Sequence, residues 1–421
     1  MRTARLIVAS ALLCMLAACT GARAPSTTSS ASPSADVLVL ATGSGPIVVD
    51  AASGSIVERD PGALTSPDGS RLYTTSTAGG TTTLVTTDAI TGDRLATTSI
   101  EGMLDTRVVS VSGRVAALMH PLPPGGDAWI PVPRSSTSIS VVDPAGGSAP
   151  RTYRLSGNYE PEAFSIDDRR LFLIQYLPAE APTAYRVTFL DLTTGSVRPV
   201  FGRFNAPPER MPGIRLRQLF DPVTSQLYTL YSTEPSKAVQ NYWDGGYHEG
   251  QDLTFVHVLS LSQGWAYCAG LPRTLWGEPA GAQAMVTSPD GRGLYIVDPL
   301  RGVVSRMDTR TLKITQTKRV DFGADAAART SASISADGST LYVGSAGEDA
   351  VFALDTGTMR VLDRWSMPAG VSDLALSADG ARLYAATSDG VALMDAESGV
   401  VLGTIPAAGV ESIVHIESPS P

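Results

Sequence analysis

The sequence is poor in the residues that most often build nucleic-acid interfaces, metal centres and disulfide frameworks. Its 421 residues include 32 basic and 41 acidic side chains, and only three of the basic ones (Lys237, Lys313, Lys318) are lysines. An acidic chain with so few lysines is a poor nucleic-acid binder. There are four histidines and three cysteines, and the histidines have no metal-ligand spacing. We therefore expect neither a nucleic-acid partner nor a metal site.

Long apolar runs are also missing. The longest small and apolar stretch extends from Leu6 to Ala18, behind Arg2 and Arg5, and is too short to span a bilayer. This pattern is typical of an export signal. It ends in Leu16-Ala17-Ala18-Cys19, which resembles the lipobox of bacterial lipoproteins. The resemblance implies cleavage before Cys19 and lipidation of its sulfur; the alternative is an ordinary secretory signal with an incidental cysteine.

Three regions follow from this beginning. Residues 1–18 are predicted to be the signal peptide, residues 19–36 a lipidated cysteine with a Ser/Thr/Pro-rich tether, and residues 37–418 the folded domain. Cys14 would leave with the signal peptide, so Cys268 has no partner for an intramolecular disulfide. Its small neighbours indicate a buried apolar position rather than a nucleophile.

A short turn pattern recurs along the chain. Ser66-Pro67-Asp68-Gly69 precedes Leu72-Tyr73, and similar copies begin at Ser288, Ser335 and Ser377. Proline presets φ, aspartate hydrogen-bonds its own backbone and glycine takes a positive φ, so each copy predicts a tight turn followed by a strand. One acid per turn, without neighbouring carboxylates, argues against a metal-binding role for these aspartates.

A second pattern alternates with the first. It is an apolar run that ends in a polar residue, usually aspartate, with glycine often following. Its copies end at Asp50, Asp88, Asp143, Asp191, Ser260, Asp308, Asp355 and Asp395. A period of about 40–50 residues with four short strands per unit is typical of a β-propeller. No segment has sustained helical periodicity, which argues against helical folds.

Together the two patterns resemble the YVTN-type propeller repeats of bacterial surface and periplasmic proteins, close to the YncE-like group. The resemblance covers roughly Val37 to Ile416 and implies an all-β chain with one propeller. It implies no particular activity, because propellers host unrelated functions.

The number of blades follows from the two ends of the repeat region. Seven units succeed one another from Pro61 to about Gly409. Unassigned strands remain on both sides, at Val37–Leu40, Ile47–Asp50, Ser55–Arg59 and Val410–Ile416. Joined as a split blade, they would close the ring without an open edge. We predict eight four-stranded blades, with seven as the alternative if one end merely adds a strand.

Long insertions are concentrated in three consecutive units, called blades 2, 3 and 4. They are His120–Ser136, Leu177–Ala184 and Ser232–Asp252, with long connectors nearby at Phe204–Gly213 and Pro272–Gly281. All should lie on the face of the ring where the innermost strands begin, called the axial face. Insertions on one sector are how repeat proteins build binding surfaces; drift in tolerant loops is the alternative.

The insertions supply the candidate ligand contacts. These are Trp129, Tyr242, Trp243, Tyr247 and His248. Exposed rings beside carboxylates suit a peptide or a sugar, although the same rings could instead pack the loops onto the rim.

Charged residues at the predicted inner strands should line the central channel. They are Arg107, Glu162, Arg215, Arg217, Arg329, Asp373 and Glu411. A cluster of Arg215, Arg217 and Arg329 could hold an anionic ligand. The alternative is a set of solvated charges around a wet tunnel.

The sequence thus favours a non-catalytic binding or scaffolding module for a protein, peptide or glycan, without a cofactor. A lipid anchor at Cys19 would hold it to the membrane on the extracytoplasmic side. The first alternative is a hydrolase or lactonase-type propeller enzyme with its site at the axial face, drawing on Glu162, the arginines and His248. The second is a redox propeller carrying haem or pyrroloquinoline quinone, for which the sequence offers no C-x-x-C-H motif.

Overall fold

The computed structural model describes residues 36–59, 62–123, 130–205, 211, 213–232, 254–276, 282–324 and 328–418. These residues form β-strands numbered β1 to β33 and two short 3-10 helices, η1 (Arg203–Asn205) and η2 (Arg273–Leu275). Within these ranges, no helix has the length and apolar character needed to cross a membrane.

The repeated turns have the geometry that their sequence predicts. The Ser335 hydroxyl donates to the Asp337 carboxylate at 2.5 Å and accepts the backbone N–H of Thr340 at 2.9 Å. Gly338 has φ 74°, a left-handed conformation in which a side chain would be strained. The same serine–aspartate bond is present in the turns at Ser66, Ser165, Ser288 and Ser377. Each turn therefore reverses the chain and starts the second strand of its blade.

The strands group into eight sheets, one per blade, and the strands of each blade are named from the innermost outwards. Blade 1 contains β4 (Leu64–Thr65), β5 (Arg71–Ala78), β6 (Thr81–Asp88) and β7 (Arg94–Glu101). Blade 2 contains β8 (Asp105–Val109), β9 (Ala116–Met119), β10 (Ser136–Val142) and β11 (Arg151–Ser156). Blade 3 contains β12 (Asn158–Phe164), β13 (Arg170–Leu177), β14 (Ala184–Asp191) and β15 (Val197–Pro199).

Blade 4 has five strands, whereas blades 5 to 7 have four strands each. Blade 4 contains β17 (Ile214–Asp221), β18 (Gln226–Ser232), β19 (Thr254–Ser260), β20 (Trp265–Gly270) and, at its outer edge, β16 (Phe201–Gly202). Blade 5 contains β21 (Ala284–Thr287), β22 (Gly293–Asp298), β23 (Val303–Asp308) and β24 (Lys313–Arg319). Blade 6 contains β25 (Thr330–Ile334), β26 (Thr340–Ser345), β27 (Glu348–Asp355) and β28 (Val361–Ser366). Blade 7 contains β29 (Val371–Leu376), β30 (Arg382–Thr387), β31 (Gly390–Asp395) and β32 (Val401–Pro406).

Both ends of the chain contribute to the closing blade. It contains β33 (Val410–Glu417), β1 (Val37–Thr42), β2 (Gly45–Asp50) and β3 (Ile56–Glu58). Strand β33 pairs antiparallel with β1, with Leu38 opposite Ile416. The predicted eight-bladed propeller with a split blade is therefore confirmed, and the seven-bladed alternative is wrong.

The hydrophobic core lies between neighbouring blades. Eight buried clusters succeed one another around the ring, and each combines residues of two adjacent blades. Between blades 6 and 7, for example, Tyr342 and Trp365 pack with Leu374 and Leu383. Pairwise burial of this kind explains why a single repeat could not be stable alone.

The tyrosine of the Leu-Tyr motif also joins consecutive blades through its hydroxyl. Tyr342 of blade 6 donates to the backbone oxygen of Ala396 in blade 7 at 2.9 Å. Tyr384 of blade 7 donates to the Asp36 carboxylate, next to the closing blade, at 2.5 Å. The motif therefore contributes both apolar area and an inter-blade hydrogen bond.

Candidate functional site

Irregular inner strands characterise the central channel. In β8, β12, β17 and β29 the pairing with the next strand skips one residue, at Arg107, Glu162, Leu216 and Ser372 respectively. A bulge of this kind redirects side chains and is frequent beside functional sites. It explains how charged residues of neighbouring inner strands reach one another.

A buried ion pair joins blades 3 and 4. A terminal guanidinium nitrogen of Arg215 contacts the Glu162 carboxylate, and the two side chains are only 6% and 2% exposed. Gln218 donates to the other carboxylate oxygen of Glu162 at 2.9 Å. Burial, the largest influence, would lower the pKa of Arg215, but the Glu162 charge and the surrounding tyrosines together outweigh it, and the pKa is raised. Arg215 is therefore a paired cation rather than a free one.

A second buried carboxylate joins blades 2 and 3. Glu160 accepts a 2.7 Å hydrogen bond from Arg134, which lies in the insertion of blade 2. Arg107 Nε lies 3.2 Å from the other oxygen of Glu160, close enough for an ion pair but misaligned for a hydrogen bond. Arg134 also donates to the Asn158 side chain at 2.7 Å. The network thus ties an insertion to the channel wall.

Tyrosines and a histidine of blades 3 and 4 lie close to the buried pair of Arg215 and Glu162. Burial raises the pKa of Tyr176 to about 12 and the pKa of Tyr231 well above its usual value. Burial and the Arg215 charge lower the pKa of His257 to about 4, so this imidazole is neutral at pH 7. The His257 ring lies edge-on to Tyr231, with centroids 6.2 Å apart.

Arg217 lies on β17, the inner strand that also carries Arg215, and its charge interacts with that of Arg329, which directly precedes β25 of blade 6. Arg217 is half-buried and Arg329 exposed. Burial lowers the pKa of Arg217, the Arg329 charge lowers it further, and Asp373 raises it. Asp373 itself accepts hydrogen bonds from the Ser331 hydroxyl at 2.6 Å and the Ile413 N–H at 2.8 Å. Among the described residues, neither arginine side chain has a hydrogen bond or an ion pair.

The three arginines predicted to act together therefore separate into two environments. Arg215 is paired with Glu162, whereas Arg217 and Arg329 remain as neighbouring cations. The interpretation of the channel charges as solvated is wrong for Glu162, because its side chain is buried in an ion pair.

The remaining predicted contacts lie outside the described residues. These are Cys19, Trp129, Tyr242, Trp243, Tyr247 and His248. The chain reaches the last four from Ser232 and returns at Thr254, and both of these flanking residues are buried.

Sequence analysis missed Glu160, Arg134, Gln218 and His257. The sequence contained a signal for Glu160, because this inner strand carries two glutamates. The structure buries every position of the strand, β12, and two acids in one buried strand require cationic partners. Arg134 could not have been assigned, since its contact depends on the course of a long insertion.

A small cavity of about 230 Å³ opens beside this network. It is lined by Glu162, Gln218 and mainly apolar residues of blades 2 to 4, including Val109, Phe164 and Phe220. Within the described part of the chain, no three His, Cys, Asp or Glu side chains converge as metal ligands would.

Comparisons with known proteins are consistent with the propeller fold and show no family. No family model and no curated protein matches the chain. Among solved structures, dihydro-heme d1 dehydrogenase NirN in complex with DHE aligns with a TM-score of 0.53 and 17% identity, covering 91% of this chain and 74% of that chain. BamB from Moraxella catarrhalis aligns with a TM-score of 0.43 and 14% identity, covering 86% and 98%. Identities this low concern the fold alone.

Proposed function

We propose that the protein is a lipid-anchored, extracytoplasmic β-propeller that binds a protein, peptide or glycan at its axial face and performs no catalysis. The observation that carries this proposal is the pair Arg217 and Arg329, whose side chains have no ion pair among the described residues, beside a channel wall whose buried carboxylates are each paired with an arginine. Two adjacent guanidinium groups suit a partner group that is anionic or rich in acceptors.

The state of the buried carboxylates supports binding over hydrolysis. A general base needs a free lone pair within reach of a substrate proton. Glu160 and Glu162 are each held by an arginine, and His257 is buried within the blade. The charges in this wall stabilise one another and fix the shape of the channel.

The insertions would extend the same surface. Trp129, Tyr242, Trp243, Tyr247 and His248 supply rings and an imidazole, the residue types that dominate binding surfaces. The segment containing the last four begins and ends on the axial side of blade 4, next to the strand that carries Arg217.

The membrane location depends on Cys19. Because thioether formation requires the sulfur, Cys19→Ser should move the protein from the membrane fraction to the soluble fraction, measured by fractionation and immunoblotting. A variant that stays wholly with membranes would contradict the lipid anchor while leaving the binding proposal open.

The binding surface is tested by affinity capture from mildly solubilised membranes. Arg217→Gln combined with Arg329→Gln, and separately Trp243→Ala combined with Tyr247→Ala, should lose a stoichiometric partner without a large change in thermal unfolding. The matched control is Arg360→Gln, which removes an exposed arginine from a turn of blade 6. Equal capture by all variants, or no stoichiometric partner for the wild type, would contradict a protein-binding function at this face.

A further inference from the structure

The cavity beside the buried charges of blades 3 and 4 lies where the inner strands end and the repeated turns begin, called the turn face. Its volume is about 230 Å³. Val109 and Phe164, the last residues of β8 and β12, line it together with Phe220 near the end of β17. Pro67 and Val111, in the turns of blades 1 and 2, border it and are exposed. The cavity therefore opens on the face opposite the axial face.

The apolar wall of the cavity carries aromatic rings that the corresponding positions of other blades lack. The residue directly before the repeated turn is Phe164 in blade 3 and Phe220 in blade 4, and both line the cavity. In blades 1, 2, 5, 6 and 7 this residue is not aromatic. It is Thr65, Val109, Thr287, Ile334 and Leu376, respectively. Two phenyl rings on adjacent blades suit a flat apolar ligand.

A polar part of the wall is also particular to blades 3 and 4. The third residue before the turn is Glu162 in blade 3 and Gln218 in blade 4, and both line the cavity. Blade 2 has Arg107 at this position, and blades 1, 5, 6 and 7 have apolar residues. These are Ala63, Met285, Ala332 and Leu374. The aromatic and the polar residues thus occur together in the two blades that bound the cavity.

The Gln218 amide offers an acceptor to a ligand. A carboxylate only accepts hydrogen bonds, so the amide nitrogen must face Glu162, to which it donates at 2.9 Å. The same nitrogen donates to the Thr229 hydroxyl at 3.3 Å. The amide oxygen receives no hydrogen bond from the described residues. Because Arg215 compensates the charge of Glu162, a ligand here should be neutral and should bring a hydrogen-bond donor.

The volume of the cavity limits the size of the ligand. An apolar protein cavity of about 150 Å³ holds benzene, whereas drug-sized ligands occupy roughly 300–1,000 Å³. A cavity of about 230 Å³ lies between these values. It therefore matches one ring or two fused rings, with about ten non-hydrogen atoms at most.

We propose that this cavity binds a small neutral aromatic molecule with one hydrogen-bond donor, such as an indole or a phenol. The ring would contact Phe164 and Phe220, and the donor would bond to the amide oxygen of Gln218. A long acyl chain exceeds the available volume, and a charged ligand would find no free counter-charge beside Glu162. The site is separate from the partner surface at the axial face, and neither depends on the other.

The test is calorimetric titration of the full chain, in a non-ionic detergent, with indole and with benzofuran, which has the same ring system size but no donor. Heat from uptake into detergent is subtracted with protein-free micelles. Wild type should bind indole saturably and about fivefold more tightly than benzofuran, as expected for one neutral hydrogen bond. Gln218→Met removes the amide and should bring the two affinities within about twofold of each other.

A second variant tests the place of binding. Val108→Phe enlarges a half-buried lining residue and should weaken indole binding at least about tenfold, because the new ring takes the space of the ligand. The control is Val286→Phe, at the corresponding half-buried position of blade 5, which should bind indole like wild type.

Thermal unfolding shows whether each variant is folded, and Gln218→Met, which conserves volume, decides the test if Val108→Phe is not. No saturable binding of indole to folded wild type would overturn the proposal. So would equal affinities of wild type for indole and benzofuran, or unchanged indole binding by folded Val108→Phe.

Discussion

Blades 5 to 7 and blades 2 to 4 use their polar residues differently. In blades 5 to 7 most polar contacts are local turn bonds, such as Ser335 to Asp337, and the tyrosine of each motif donates to the following blade. In blades 2 to 4 charged side chains enter the interior, where Glu160 and Glu162 are 3% and 2% exposed and are paired with arginines of neighbouring blades.

The difference shows that the blades with long insertions are also the blades with buried charges that need specific partners. A repeated turn satisfies its own polar groups, so regular blades can be stacked without specific partners. A buried carboxylate needs a particular cation from another blade, and such pairs specify an arrangement more than they stabilise it. The buried pair of Asp298 and Arg301 in blade 5 fits this view, because Arg301 also holds the connector from blade 4 at Trp276.

The largest expected effect is on closure of the regular side of the ring. Truncation after Gly409 removes β33, which pairs with β1 and covers part of the core next to blade 7. We expect a loss of at least about 5 kcal/mol, comparable to the whole stability of a typical domain, together with aggregation. Truncation after Ser418 leaves every described strand intact and is the control. Equal melting temperatures for the two truncations would show that the ring does not need β33.

The second effect concerns the buried charges of blades 3 and 4. Glu162→Gln leaves Arg215 buried without its counter-charge and should destabilise the protein by about 3–5 kcal/mol, measured by urea unfolding. Arg114→Ala removes a surface pair with Asp168 in which the arginine is 71% exposed, and should change stability by less than about 1 kcal/mol. Similar losses of unfolding free energy for the two variants would contradict a difference between buried and surface ion pairs.

The fold was predictable because its signals are local. Turns such as Ser66-Pro67-Asp68-Gly69 define strands within a few residues, and counting them predicted the closing blade. The pairing of Glu160 with Arg134 was not predictable, since it depends on where an insertion lies in three dimensions. The strand bulges were not predictable either. The skipped residue at Glu162 does not change the pattern of apolar and polar residues from Asn158 to Phe164. Sequence thus locates the charged residues of the channel but not their partners.

The third effect is a pH dependence specific to blade 4. His257 has its pKa lowered from 6.5 to about 4 by burial, with a smaller contribution from Arg215. Between these values the unfolded chain binds a proton that the folded chain does not. Stability should therefore be fully present above about pH 6.5 and fall by roughly 3 kcal/mol as the pH drops to about 4.

The matched variant for this pH effect is His257→Gln, which cannot titrate. Its unfolding free energy should lack the part of the decline between about pH 6.5 and 5, where few carboxylates titrate. Parallel curves for the variant and the wild type in that interval would assign the pH dependence elsewhere.

The smallest expected effect on stability comes from removing one tyrosine hydroxyl in each of the two regions. Tyr342→Phe removes the hydrogen bond to Ala396 that joins blades 6 and 7, and should cost about 1 kcal/mol. Tyr231→Phe in blade 4 removes a buried hydroxyl that has no hydrogen-bond partner among the described residues, so the same change there should be neutral or slightly stabilising, because an unsatisfied polar group is removed. Urea midpoints of the two variants, compared at equal m-values, test this directly. If Tyr342→Phe left the urea midpoint unchanged, the role of this hydroxyl as a link between consecutive blades would have to be abandoned.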